Sequence, residues 1–128
     1  MSAFEGFPEL KVPEGSSAER FFELRVYESP SEVKGKLKVD MFDSGGELEI
    51  FEKVGLRGVF YGEALVSANL PQLTYMLVYD NEGEKKKAWN GFRTSPDWAV
   101  LKKEEKYAGT VSKIHSRDLV AMPYSQIK

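Results

Sequence analysis

Phe21-Phe22-Glu23-Leu24-Arg25-Val26-Tyr27-Glu28-Ser29-Pro30-Ser31 is a strand followed by its own stop signal. Successive side chains of an extended chain point to opposite faces, so Phe22, Leu24 and Val26 share one face while Phe21, Glu23, Arg25 and Tyr27 share the other. Both rows carry apolar or aromatic groups, which predicts a strand covered at least partly on both sides. Pro30 has no amide hydrogen for a ladder, and its fixed φ suits a turn or a helix start.

Working outward, residues 31–44 place Val33, Leu37 and Met41 at helical spacing with Phe42 beside them, giving one apolar stripe. Gly45-Gly46 interrupts it, and Leu48, Ile50, Phe51 and Val54 resume the spacing up to Gly55, whose missing Cβ suits a left-handed stop. The expectation is one bent helix, or two short ones hinged at the glycine pair. Gly58 to Ser67 and Leu73 to Tyr79 are rich in Val, Tyr, Leu and Phe and flank Ala68-Asn69-Leu70-Pro71, so they read as two antiparallel strands joined by a hairpin-like loop.

Asp80-Asn81 offers a capping oxygen to a helix with Ala88, Trp89 and Phe92 on its buried stripe. Ser95-Pro96-Asp97 starts a further helix, with a serine cap, a proline in the first turn and a carboxylate near the positive helix end. Val111 to Val120 is a closing strand. The order strand, helix, strand, strand, helices, strand is that of an α+β, ferredoxin-like βαββαβ domain, an antiparallel sheet with helices on one face. The row bearing Phe21, Arg25 and Tyr27 is taken as the face without helices, and a second copy of the sheet is its simplest cover.

The expected domain covers residues 20–128. Residues 1–19 mix Phe4, Phe7 and Leu10 with Pro8, Pro13, Gly6 and Gly15, a composition that favours a linker or arm, and the Phe4, Phe7, Leu10 spacing suggests that part of it docks on a surface. At 128 residues, 41% hydrophobic and 30% charged, the chain fits one globular domain. Its 18 basic and 20 acidic side chains leave a net charge of −2, without the basic excess that nucleic-acid binding demands. Cysteine is absent, which removes thiol catalysis and thiolate metal sites. The apolar runs fall well short of the roughly 20 residues of a spanning helix.

Several runs are similar to one known family. Glu23-Leu24-Arg25-Val26-Tyr27 resembles the E-L-R-x-Y opening of NIPSNAP domains. Matches follow in order at Met41-Phe42, Gly45-Gly46-Glu47, Ile50-Phe51, Val59-Phe60-Tyr61-Gly62-Glu63, Leu73-Thr74-Tyr75-Met76-Leu77, Ala88-Trp89, Pro96-x-Trp98 and Pro123-Tyr124-Ser125-Gln126-Ile127. The resemblance implies a dimeric α+β barrel type of ferredoxin-like domain, in which two sheets associate face to face. It also implies a likeness to the C-terminal domain of bacterial tandem-domain members, because Ala3-Phe4-Glu5-Gly6-Phe7-Pro8 resembles the junction before their second copy. Residues 1–19 would then be the remnant of that junction. An export signal would precede the first domain, so the compartment is open.

No residue set fixes a reaction, and no cofactor is expected. His115 is the only histidine, with Lys113 and Arg117 on its strand face and no partner visible in the sequence. Asp40, Asp43, Glu47 and Glu49 surround the glycine pair but match no calcium loop, and they read as solvated helix surface, as do Lys85-Lys86-Lys87. No metal site is expected. The candidate pocket or interface residues are Glu23, Arg25, Tyr27, Phe60, Glu63, Tyr75, Trp89 and His115, because charged groups on an otherwise apolar strand face need partners or a wet cavity.

The favoured reading is a domain that acts through sheet-face self-association, as a homodimer or with a second copy, and takes a small apolar ligand. The alternative, by fold analogy, is a monooxygenase-like small-molecule enzyme with a pocket lined by Tyr75, Trp89 and Phe60 and His115 as proton carrier. That alternative requires an enclosed apolar cavity of roughly 300 Å3 or more with converging polar groups.

Overall fold

Three capping side chains set the helix starts where the sequence places them. In the computed structural model, which describes residues 1–128, Ser31 accepts from the Lys34 amide at the head of α1 (Glu32–Phe42). Asn81 does the same for Glu84 in α3 (Glu82–Thr94), and Ser95 for Trp98 in α4 (Pro96–Leu101). Each satisfies an amide that the first helical turn leaves without a carbonyl. The glycine pair separates α1 from α2 (Glu47–Val54), with Gly46 at φ +94, a conformation that a side chain resists. The expected hinge is therefore a complete break into two helices.

The strands are β1 (Ser2–Ala3), β2 (Phe21–Glu28), β3 (Arg57–Glu63), β4 (Gln72–Tyr79) and β5 (Lys113–Leu119). They form one sheet in the order β1-β3-β4-β2-β5, with every neighbouring pair antiparallel. The four long strands have the ferredoxin-like arrangement, with β2 and β4 central and the two helical connections crossing one face. Val59 is an extra residue between the Gly58–Leu77 and Phe60–Met76 pairs. At Gly58 a Cβ would run into the Tyr61 ring, so this turn of the strand needs the smallest residue.

The helix-covered face corrects the sequence reading. Phe21, Glu23, Arg25 and Tyr27 stand opposite Tyr79, Leu77, Tyr75 and Leu73 of β4, and this row packs under the helices with Phe42, Phe51 and Phe92. The face without helices instead carries Phe22, Leu24, Val26, Phe60, Met76 and Val78. Period-2 alternation sorts residues into two rows without saying which row meets the helices. The charged row lies inside because its charges are paired there, as described below.

Two further expectations change. Along α1 the inward residues are Gly35, Lys38, Met41 and Phe42, while Val33 is exposed. Residues 1–19 lie along β3 as a strap held at a few points. Ser2 and Ala3 pair with Glu63 and Gly62, the Phe4 amide donates to the Tyr61 carbonyl at 3.3 Å, and the Lys11 amide donates to the Val59 carbonyl at 2.8 Å. Phe4 is buried against Phe42 and Tyr61, and Phe7 sets its edge on Tyr61 with 4.9 Å between centroids. Leu10, grouped with them by spacing, is 50% exposed.

Candidate functional site

Glu23 is the centre of the polar structure beneath the helices. It is 2% exposed, and donors surround its carboxylate. Oε1 accepts from Arg25 Nη1 and from Ser116 Oγ, both at 2.7 Å. Oε2 accepts from the Tyr79 hydroxyl at 2.7 Å and from Trp89 Nε1 at 3.1 Å, with Lys85 Nζ 3.8 Å away. Burial works against its charge, but the bonds from Ser116, Tyr79 and Arg25 outweigh burial and hold the carboxyl below its ordinary range. The Tyr79 hydroxyl is pushed upward, by burial first and then by its bond to Glu23.

Arg25 carries the network across the sheet. Its Nη2 donates to the Tyr27 hydroxyl at 3.3 Å, and the Tyr27 and Tyr75 hydroxyls are 2.9 Å apart. The guanidinium lies over the Trp89 ring, 4.6 Å from its centroid. Its Nε is buried and has no hydrogen-bond partner. Nearby, Lys38 Nζ donates to Glu47 Oε2 at 2.9 Å in a second buried pair, where burial pushes the Glu47 carboxyl up despite Lys38.

Of the eight sequence candidates, Glu23, Arg25, Tyr27, Tyr75 and Trp89 therefore converge. Phe60 and His115 lie on the opposite face, where His115 Nε2 is 2.7 Å from Glu28 Oε1. Glu63 sits at the far end of β3 beside Ser2. The pocket of Tyr75, Trp89 and Phe60 imagined for a monooxygenase-like enzyme is not formed. The sheet separates Phe60 from the other two, and Tyr75 is fully buried among Tyr27, Phe42, Phe51 and Tyr61 with ring centroids 5.4–5.9 Å away.

The acidic residues near the glycine pair disperse. Asp43 accepts from the Gly6 amide, Asp40 from the Tyr107 hydroxyl, and Glu47 is buried rather than solvated. Lys85 also departs from the exposed surface assigned to it, reaching Asp118 at 2.8 Å. The residues missed by sequence reading are Tyr79, Ser116 and Lys85. Only Lys85 left a trace, since it precedes Trp89 by four residues and so shares its helix face.

A surface cleft of about 500 Å3 opens between β2 and α3, lined by Glu23, Arg25, Tyr27 and Trp89 and rimmed by Glu82, Lys86 and Arg93. Its carboxylate is saturated with donors and held ionised, which makes Glu23 a weak proton acceptor. The arrangement suits binding and orientation better than acid–base work.

A family model, NIPSNAP, matches residues 22–126. The chain belongs to the NIPSNAP family. Solved NIPSNAP structures share its fold. A NIPSNAP family protein from Agrobacterium tumefaciens superposes with a TM-score of 0.75 at 12% identity, covering 86% of this chain and 100% of that one. An uncharacterised NIPSNAP-like domain protein from Burkholderia xenovorans gives 0.72 at 16% identity, covering 84% and 89%. A dimeric ferredoxin-like protein from an uncultured marine organism gives 0.56 at 14% identity, covering 80% and 96%. No curated protein matches the sequence. The NIPSNAP runs noted in the sequence fall on the sheet, the glycine break, all four helices and the C-terminal segment, and those on β2 and α3 help build the Glu23 network.

Proposed function

We propose that this NIPSNAP domain acts as a self-associating module, with the helix-free face of its sheet packed on a second copy. The observation that carries this reading is the row Phe22, Leu24, Val26, Phe60, Met76 and Val78. It is strongly apolar, and the chain buries it only at one end, where Ala121 and Ile127 pack against Phe22 and Val78. Leu24, Val26, Phe60 and Met76 are half-buried, and Leu119 and Val120 are exposed beside them. Sheet faces of this composition are ordinarily covered. A second copy supplies a surface of the same width and twist, and a two-fold arrangement buries both faces at once. The dimeric description of the marine ferredoxin-like protein supports the same reading.

Solution mass tests it. Sedimentation at micromolar concentrations should give twice the 14.5 kDa of the chain, and Phe60→Arg should give the monomer with unchanged circular dichroism. A folded wild-type monomer up to about 100 μM, weaker than any specific pairing of this kind, overturns the proposal.

A further inference from the structure

We propose that the cleft between β2 and α3 is a binding site for a small organic anion with a flat apolar body, such as an aromatic carboxylate. The inference goes beyond self-association and is independent of it, because the cleft opens on the helix side of the sheet.

Three observations support this assignment. The first is charge. Arg25, Lys85, Lys86 and Arg93 line the cleft against Glu23 and Glu82. Counting Asp118, which pairs with Lys85, the local balance is still positive. Lys86 and Arg93 are exposed and take part in no ion pair, so their charges are open to a ligand. Glu23 cannot serve a cationic ligand, because both its oxygens are already filled by protein donors.

The second is preorganisation. Arg25 is held in place by Glu23, Tyr27 and the Trp89 ring, and 17% of its side chain remains exposed where it lines the cleft. A fixed guanidinium loses little freedom on meeting a carboxylate, which favours binding. The third is shape. Trp89 and Phe92 supply aromatic wall, and about 500 Å3 is within the usual range for small-molecule sites. The sequence suggested an apolar ligand. The rim charges add an acidic head to it.

Benzoate is a suitable probe because it combines one ring with one carboxylate. The Trp89 indole N–H donates to Glu23 and to Tyr79, so its proton–nitrogen NMR signal reports on the cleft floor. Trp98→Phe assigns it, since the chain has two tryptophans. At constant ionic strength, benzoate should shift this signal saturably, whereas benzamide and benzylamine should bind about tenfold more weakly or worse, the loss expected for one charge-assisted contact. Lys86→Gln/Arg93→Gln, two exposed changes that leave the buried network intact, should weaken benzoate by about the same factor. The shift should persist in Phe60→Arg, which separates this site from self-association. The proposal is overturned if benzoate leaves the signal unmoved at about 20 mM, a concentration far above useful affinity. Equal shifts with benzamide, or unchanged benzoate binding in the double variant, also overturn it.

Discussion

Replacing Arg25 by Met would remove the guanidinium and keep most of the stem, leaving Glu23 ionised beneath the helices without its nearer ion-pair partner, with Lys85 3.8 Å away. The lost Arg25–Glu23 bond, at 2.7 Å, is charge-assisted and worth about 1.5–3 kcal/mol. Loss of the guanidinium over Trp89 adds about 0.5–1 kcal/mol. Breaking a buried ion pair by removing one member costs about 3–5 kcal/mol. Here Ser116, Tyr79 and Trp89 still donate to the carboxylate, and Arg25 no longer has to be desolvated, so the low end applies. About 3 kcal/mol is expected, which at a slope near 1.5 kcal/mol/M lowers the urea midpoint by about 2 M.

Urea titration followed by far-ultraviolet circular dichroism at pH 7 measures this without relying on Trp89 emission. Glu23→Gln/Arg25→Met, which removes the stranded charge, should be more stable than the single variant by about 1–2 kcal/mol. The gap between wild type and Arg25→Met should also close in acid. The Glu23 carboxyl is depressed in the folded wild type, so its contribution is complete above the ordinary value of 4.5 and is withdrawn as pH falls through the lower folded value. In the variant Ser116 and Tyr79 still lower the carboxyl but Arg25 no longer does, so less stability is withdrawn on protonation. A loss below about 1 kcal/mol at pH 7, or a double variant no more stable than the single one, would refute this account of the network.

Other parts of the molecule allow shorter tests. Lys38→Met should destabilise by about 3 kcal/mol in urea by leaving Glu47 buried and unpaired, whereas Lys38→Met/Glu47→Leu should recover most of that loss; equal losses would mean that packing alone matters there. Ser95→Ala removes the acceptor of the Trp98 amide and should cost about 1 kcal/mol, read as a lower thermal midpoint.

The element order was legible because its signals are local. Ser31, Asn81 and Ser95 act on amides three residues away, and Gly55 and Gly46 act through their own backbone. Sidedness was not local. Phe21-Glu23-Arg25-Tyr27 and Phe22-Leu24-Val26 are both plausible inner rows, and the choice depends on whether the charges find donors inside. Those donors come from far along the chain: Tyr79 lies 56 positions from Glu23 and Ser116 lies 93. Lys85 was hidden in a run of three lysines, and Lys38 in a helix that also has three. The seat of the strap was hidden for a related reason. Gly6, Pro8 and Pro13 advertise a linker, while Phe4 and Phe7 are held by rings on α1 and β3 that composition does not reveal.

The strap along β3 also bears on how the protein behaves at high concentration. A sheet ending at β3 would offer a row of open amides and carbonyls to any extended chain, the usual seed of fibrous growth. Ser2, Ala3, Phe4 and Lys11 occupy that margin, and the opposite margin is β5, whose Lys113, Arg117 and Asp118 discourage stacking by another strand. The sheet is thus guarded sideways while its apolar face stays available, so the self-association proposed above would close on itself as a pair rather than grow without limit.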